Sequence, residues 1–278
     1  EMQYLSDRPE RYFFPHGRKF NFLTFATHVP VRISTLIRKI DYTALLEAAD
    51  ILSAAVDGFA AYHHANSGRN PAGIFFANPI PRDGVIIDIP SPLGAIVVLG
   101  AGRQIYQGDA ALLVDLGGND LYLGPVAVGH RVPGRVSLMI DMGGNDVYDR
   151  GQARYAQGFG CLALSMLADF DGNDQYLAGN MAQGCGLYGI GLLFDDRGDD
   201  FYQMGLLGQG FGLFGIGLLI DRSGNDRYLI NGLGQGAGST LGFGGLFDLA
   251  GNDKYLADRE RQRGRLAPDE WNHVQGAG

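Results

Sequence analysis

Twelve aspartates come in pairs along the middle of the chain, each pair framing a tight turn of the form D-x-x-G-N-D-x-Tyr, with Asp199 replacing Asn in one copy. The leading members are Asp115, Asp141, Asp169, Asp195, Asp221 and Asp248; the second members are Asp120, Asp146, Asp174, Asp200, Asp226 and Asp253. Two chemistries suit this pattern. Carboxylates around a glycine turn offer hard oxygen ligands, which Ca2+ takes about six to eight at a time with flexible geometry, whereas Mg2+ demands a stricter octahedron. Alternatively, Asp and Asn before Gly accept nearby backbone N–H groups, and the leading Asp then caps its own corner without a metal. All twelve are candidate metal ligands, the second of each pair being the better placed.

What must position them is a repeat. The leading aspartates are 26, 28, 26, 26 and 27 residues apart, and Gln157, Gln183, Gln209 and Gln235 open Q-G-x-G segments at intervals of 26. Units this short are too small for propeller blades and show no helical pattern, but they match one turn of a three-sided parallel β-solenoid. The expected fold is mainly β, a parallel solenoid of about seven coils over residues 85–255, with Asp88 in a degenerate first coil. Residues 1–84 are read as an N-terminal helical or irregular cap containing one helix at about 43–64. Residues 256–278 are read as an exposed polar loop and the start of a further coil at Gln275.

Coils stacked about 4.8 Å apart turn every repeated residue into a ladder. Tyr122, Tyr148, Tyr176, Tyr202, Tyr228 and Tyr255 should pile on one another, and so should the two Asp columns. Gly118, Gly144, Gly172, Gly198, Gly224 and Gly251 fall where the turn calls for positive φ. The triplet before each leading Asp, such as Leu192, Leu193 and Phe194, is apolar throughout, so its outer face needs cover. The expected cover is the N-terminal helix, through Leu45, Ala49, Leu52, Val56 and Phe59, with a partner subunit as the alternative.

The G-G-N-D-x-Tyr turns resemble the calcium-binding nonapeptide repeats of RTX proteins, which bacteria secrete. The likeness covers the corners alone. RTX repeats run in tandem and lead with Gly where this chain has Asp. Asp169–Asp174 (DFDGND) and Asp195–Asp200 (DDRGDD) also look like the calcium loops of FG-GAP repeats, whose blades are much longer than the coils here. The resemblance implies Ca2+ at these corners and a secreted, cell-surface or periplasmic bacterial protein.

Charge narrows the partners. Residues 85–255 carry 18 Asp+Glu against 9 Lys+Arg, which holds all the net negative excess of a chain whose net charge is -8. Such a strip repels nucleic acid and attracts cations. No apolar run approaches the length that spans a bilayer as a helix. Cys161 and Cys185 form no C-x-x-C pair and read as free buried thiols. Val98–Ile105 (VLGAGRQI) begins like a dinucleotide fingerprint but lacks its third Gly, and reads as strand and turn.

Function follows less directly. The leading expectation is a calcium-stabilised binding or scaffold protein. Its rivals are an enzyme on a β-helix, acting on polysaccharide or another hydrolysable substrate and drawing on His28, His63, His64 or His130, and one chain of a self-processed complex. A further coil begun at Gln275 leaves an open strand edge, which points to a protein partner, a second chain after proteolytic cleavage, or another copy there.

Overall fold

A computed structural model describes residues 84–130 and 134–257, together with eight helical positions between 43 and 61. Three sheets of eight, seven and five strands run along a solenoid, parallel except for one antiparallel strand at the start, and the five coils between Leu112 and Ser239 each contribute one strand to all three. The eight-stranded sheet contains Leu112–Asp115, Val136–Asp141, Leu164–Asp169, Ile190–Asp195, Ile216–Asp221 and Phe243–Asp248, in that spatial order. The seven-stranded sheet follows each Asp corner and carries the tyrosines. The five-stranded sheet closes the third side with short strands such as Gly186–Leu187.

Register explains why the repeat survives its irregular spacing. Asp115 pairs with Asp141, then Asp169, Asp195, Asp221 and Asp248 in unbroken sequence. The 28-residue coil places its two extra residues between Tyr148 and Gln157, which stand nine apart where Tyr176 and Gln183 stand seven apart. Insertions are thus absorbed in a corner loop, because a one-residue slip within a strand would turn every buried side chain outward.

The N-terminal end differs from expectation, while the further coil expected from Gln275 lies outside the described residues. Asp88 does not begin a coil. Its strand, Val85–Ser91, runs antiparallel to Gly94–Leu99, with Asp88 opposite Val97. The first true coil starts at Gly94–Leu99, where Leu99 takes the place of the leading Asp beside Asp115. That coil is 16 residues long and lacks the third strand, since Ile105–Tyr106 pairs at once with Leu121–Tyr122. The sequence Val98–Ile105 is therefore strand and turn, as expected.

Alternation sorts the apolar triplets. On Val136–Asp141, Ser137, Met139 and Asp141 are buried while Val136, Leu138 and Ile140 are half-buried. Met139, Leu113, Leu167, Leu193 and Leu219 join the tyrosines in the interior. The alternate residues Leu138, Ile140, Met166, Ala168, Leu192, Phe194 and Ile220 make a separate apolar cluster with Phe170. The helix expected to cover that cluster would do so through residues outside those described. Helical backbone is found at Thr43, Ala44, Glu47, Asp50, Ile51, Ala54, Gly58 and Ala61, all exposed, while Leu45, Ala49, Leu52, Val56 and Phe59 lie outside the described residues.

The corners hold a feature the repeat did not announce. Gln157, Gln183, Gln209 and Gln235 have φ of 50–52°, and the glycine after each has φ of 73–80°. Two more columns, Tyr155, Met181, Leu207, Leu233 and Leu162, Tyr188, Phe214, Leu241, also lie in the left-handed region. Each such non-glycine residue costs about 1–2 kcal/mol, so the stacked rungs must hold these corners in place.

Candidate metal centre

The Asp corners face the interior. Asp141, Asp169, Asp195 and Asp221 are fully buried, and so are the rings of Tyr148, Tyr176, Tyr202 and Tyr228. Successive rings lie 4.7–4.9 Å apart and within 10° of parallel from Tyr122 to Tyr255. The expected tyrosine ladder is present, each pair adding about 0.5–1.5 kcal/mol beyond its burial.

Each hydroxyl of the ladder from Tyr122 to Tyr255 reaches a leading aspartate. Tyr122 Oη lies 2.6 Å from Oδ2 of Asp115 and 2.6 Å from Oδ2 of Asp141. Tyr148 bridges Asp141 and Asp169 at 3.0 and 2.7 Å, and Tyr176 bridges Asp169 and Asp195 at 3.3 and 2.6 Å. Backbone capping also occurs, but only partway along the column. Oδ1 of Asp115 and Asp141 each accepts a glycine N–H at 3.1 Å, whereas Oδ1 of Asp195, Asp221 and Asp248 has no hydrogen-bond partner among the described residues.

The second aspartates lock coil to coil. The backbone N–H of Asp120, Asp146, Asp174 and Asp200 donates to Oδ1 of the equivalent Asp in the next coil, at 2.5–2.7 Å. Asp226 continues the series to Asp253 at 2.9 Å. Their other oxygens, Oδ2 of Asp120, Asp146, Asp174, Asp200 and Asp226, are buried without a hydrogen-bond partner among the described residues. On the outside, Asn119, Asn145, Asn173, Asp199 and Asn225 form a parallel ladder in which each accepts the backbone N–H of its successor.

Packing anions this way has an electrostatic cost. Burial lifts the carboxyl pKa of Asp115 to about 9, Asp146 to about 10, Asp174 to about 11 and Asp226 to about 8. Asp120 and Asp221 rise to about 6 and Asp200 to about 7, again chiefly through desolvation. Asp141, Asp169 and Asp195 rise as well, for the same reason. Neighbouring charges about 4.8 Å apart would repel by roughly 3 kcal/mol at an effective dielectric near 20. The ion pairs found among the described residues lie elsewhere, at Arg135–Asp109 and at Asp196 with Arg197 and Arg222.

Four groups of carboxylate oxygens gather within 4.8 Å: Asp141, Asp146, Asp169; Asp169, Asp174, Asp195; Asp195, Asp200, Asp221; and Asp226, Asp248, Asp253. These groups could hold a metal ion. They take in ten of the twelve candidate ligands, leaving out Asp115 and Asp120. Each group spans two coils, so no single turn makes a site. The signal for this lay in the sequence only as the common period.

Other candidates are placed elsewhere. His130 is buried and packs on Tyr155, ring centres 4.9 Å apart; His28, His63 and His64 lie outside the described residues. Cys161 and Cys185 are buried and free, as expected, and burial pushes the Cys161 thiol up to about 12. No described helix is long and apolar enough to cross a membrane. Comparison of the chain with known protein families, curated proteins and solved structures returns no match.

Proposed function

We propose that this chain is a rigid binding scaffold, acting outside the cytoplasm, whose buried corners are neutralised by Ca2+. The observation that carries the reading is the set of four carboxylate groups with oxygens within 4.8 Å. Calcium binds oxygen at about 2.3–2.6 Å, so ligands on opposite sides of one ion stand about 5 Å apart, which matches. The oxygens of Asp146, Asp174 and Asp200 that lack hydrogen bonds are the natural ligands. Calcium-rich compartments lie outside the cell, which supports the secreted, cell-surface or periplasmic placement. The RTX-like form of the turns points the same way. The test is a thermal melt of the full chain with EGTA and with added CaCl2; a midpoint indifferent to both removes calcium from the reading.

One observation favours a second means of neutralisation. Tyr122 has a single hydroxyl proton yet lies 2.6 Å from oxygens of two aspartates. If it donates to one, the other contact is a hydrogen bond only when that carboxyl is itself protonated. A column sharing protons would need no ion, and its stability would fall with rising pH in the absence of calcium.

A further inference from the structure

Three glutamines are held alike inside the solenoid. Gln157, Gln183 and Gln209 are fully buried and turn successive corners with φ of 50–52°. Their corners superimpose rung on rung, since Gly184 N–H donates to Gln157 O and Gly210 N–H to Gln183 O, both at 2.9 Å. Each side-chain amide gives both of its protons to backbone carbonyls. Nε2 of Gln157 donates to Tyr148 O at 2.7 Å and to Leu177 O, one coil on, at 3.2 Å. Gln183 repeats this with Tyr176 O and Gln203 O at 2.7 and 3.3 Å, and Gln209 with Tyr202 O and Leu229 O at 3.4 and 3.2 Å.

That donation fixes which way each amide faces, because turning it over would set its oxygen against two carbonyl oxygens. Oε1 of all three is buried with no hydrogen-bond partner among the described residues. Buried polar atoms of native proteins are paired as a rule, with protein or with ordered water. The neighbours of the first two amides are short: Ala156 precedes Gln157, Ala178 follows Leu177 and Ala182 precedes Gln183, all three buried in one cluster. Coils stack about 4.8 Å apart, so successive Oε1 atoms stand at about that separation. A water donating two bonds of about 2.7–2.8 Å reaches two acceptors roughly 4.5 Å apart. Calcium takes about six to eight oxygens, and two neutral amide oxygens fall far short of that.

We infer that Gln157, Gln183 and Gln209 hold two structural waters, one bridging Oε1 of Gln157 and Gln183, the other bridging Oε1 of Gln183 and Gln209. This column is separate from the carboxylates and does not depend on calcium: the amides meet the backbone end of each tyrosine, while the aspartates meet its hydroxyl. The waters also give the left-handed glutamines a role. Asn tolerates that conformation more readily but is one methylene shorter, whereas Gln reaches the tyrosine carbonyl seven residues back and turns an oxygen toward the next rung.

The experiment is a crystal structure of the full chain at about 1.2 Å, where amide nitrogen and oxygen can be told apart. It is paired with 17O magnetic relaxation dispersion, which counts internal waters that outlast tumbling in solution. The expected result is one water in contact with each successive pair of Oε1 atoms, at about 2.7–3.0 Å. Gln183→Met keeps the length of the side chain but removes the shared acceptor, and should lower the relaxation count by two. Should Q183M fail to fold, the density in the unaltered protein decides alone. Density bridging fewer than both pairs, an atom there with five or more oxygen neighbours at roughly 2.4 Å as a cation requires, or a count unchanged in folded Q183M overturns the inference.

Discussion

The backbone N–H of Asp146 donates to Oδ1 of Asp174, one coil further on, at 2.6 Å. The bond spans the one 28-residue coil in the series and is as short as those spanning 26. Side chain to backbone, it ties consecutive rungs together.

Removing that acceptor should loosen the middle of the solenoid. Asp174→Ala leaves the Asp146 N–H buried and unpaired, at a cost of about 1.5–3 kcal/mol. Asp174→Asn retains an acceptor oxygen and should cost less. Urea unfolding of the two variants checks the order.

Tyrosine hydroxyls and rings are separable contributions. Tyr176→Phe keeps the 4.7–4.8 Å stack but removes the contacts to Asp169 and Asp195, costing about 1–3 kcal/mol. Tyr176→Leu removes the stack as well and should cost about 1–3 kcal/mol more, counting two ring pairs. Denaturant midpoints of both variants against the parent test this, the Leu variant being the weaker.

Stability should depend on pH in an unusual direction when calcium is absent. The carboxyls of Asp221, Asp200, Asp226, Asp115 and Asp146 have folded values of about 6, 7, 8, 9 and 10, all above the ordinary 3.8. A group raised on folding contributes stability that is complete below its unfolded value and is lost as pH climbs through its folded one. In EGTA the melting midpoint should therefore fall steadily from about pH 5 to pH 9. Added CaCl2 should flatten the alkaline side, because an ion then replaces the missing protons. A midpoint that rises with pH in EGTA would contradict the buried, uncompensated state of these columns.

Glycine tolerance should differ sharply between two corners. A Cβ on Gly198 would overlap the carbonyl oxygen of Gly172 in the preceding coil, and its φ is 152°. Gly198→Ala should cost about 3 kcal/mol or more, since the backbone of the preceding coil must move away. At Gly151, φ is 51° and the nearest atom to such a Cβ is Asp149 Oδ1 at 3.9 Å. Gly151→Ala should cost only about 1–2 kcal/mol, the ordinary penalty of the left-handed region. Thermal melts of the pair measure the difference.

Gly198 also shows where sequence reading reached the right residue through half of the reason. A glycine column suggested a conformational need; stacking adds that there is no room for a side chain, because each coil's carbonyl lies beneath the next glycine. The Q-G corners were visible as a phase mark, but their left-handed glutamines were not, since Gln carries no propensity for that region. The ends were least legible. Asp88 has the spacing of a coil yet lies in an antiparallel strand, and the 16-residue first coil keeps only Gly102 and Tyr106 of the repeat, with Leu99 and Gln104 where the two aspartates stand in later coils.

The order of residues along the chain was enough to establish the solenoid, its period, the two aspartate columns and the tyrosine stack. Translational repetition is local information: similar units of nearly equal length superimpose, so each residue type can be followed from coil to coil. Three-dimensional packing decided what those columns experience. Whether an aspartate caps its turn, meets a tyrosine hydroxyl or lacks a partner depends on distances between coils, as Asp141 and Asp195 show from equivalent positions. Burial likewise is a property of what lies above and below a rung, which no single repeat encodes.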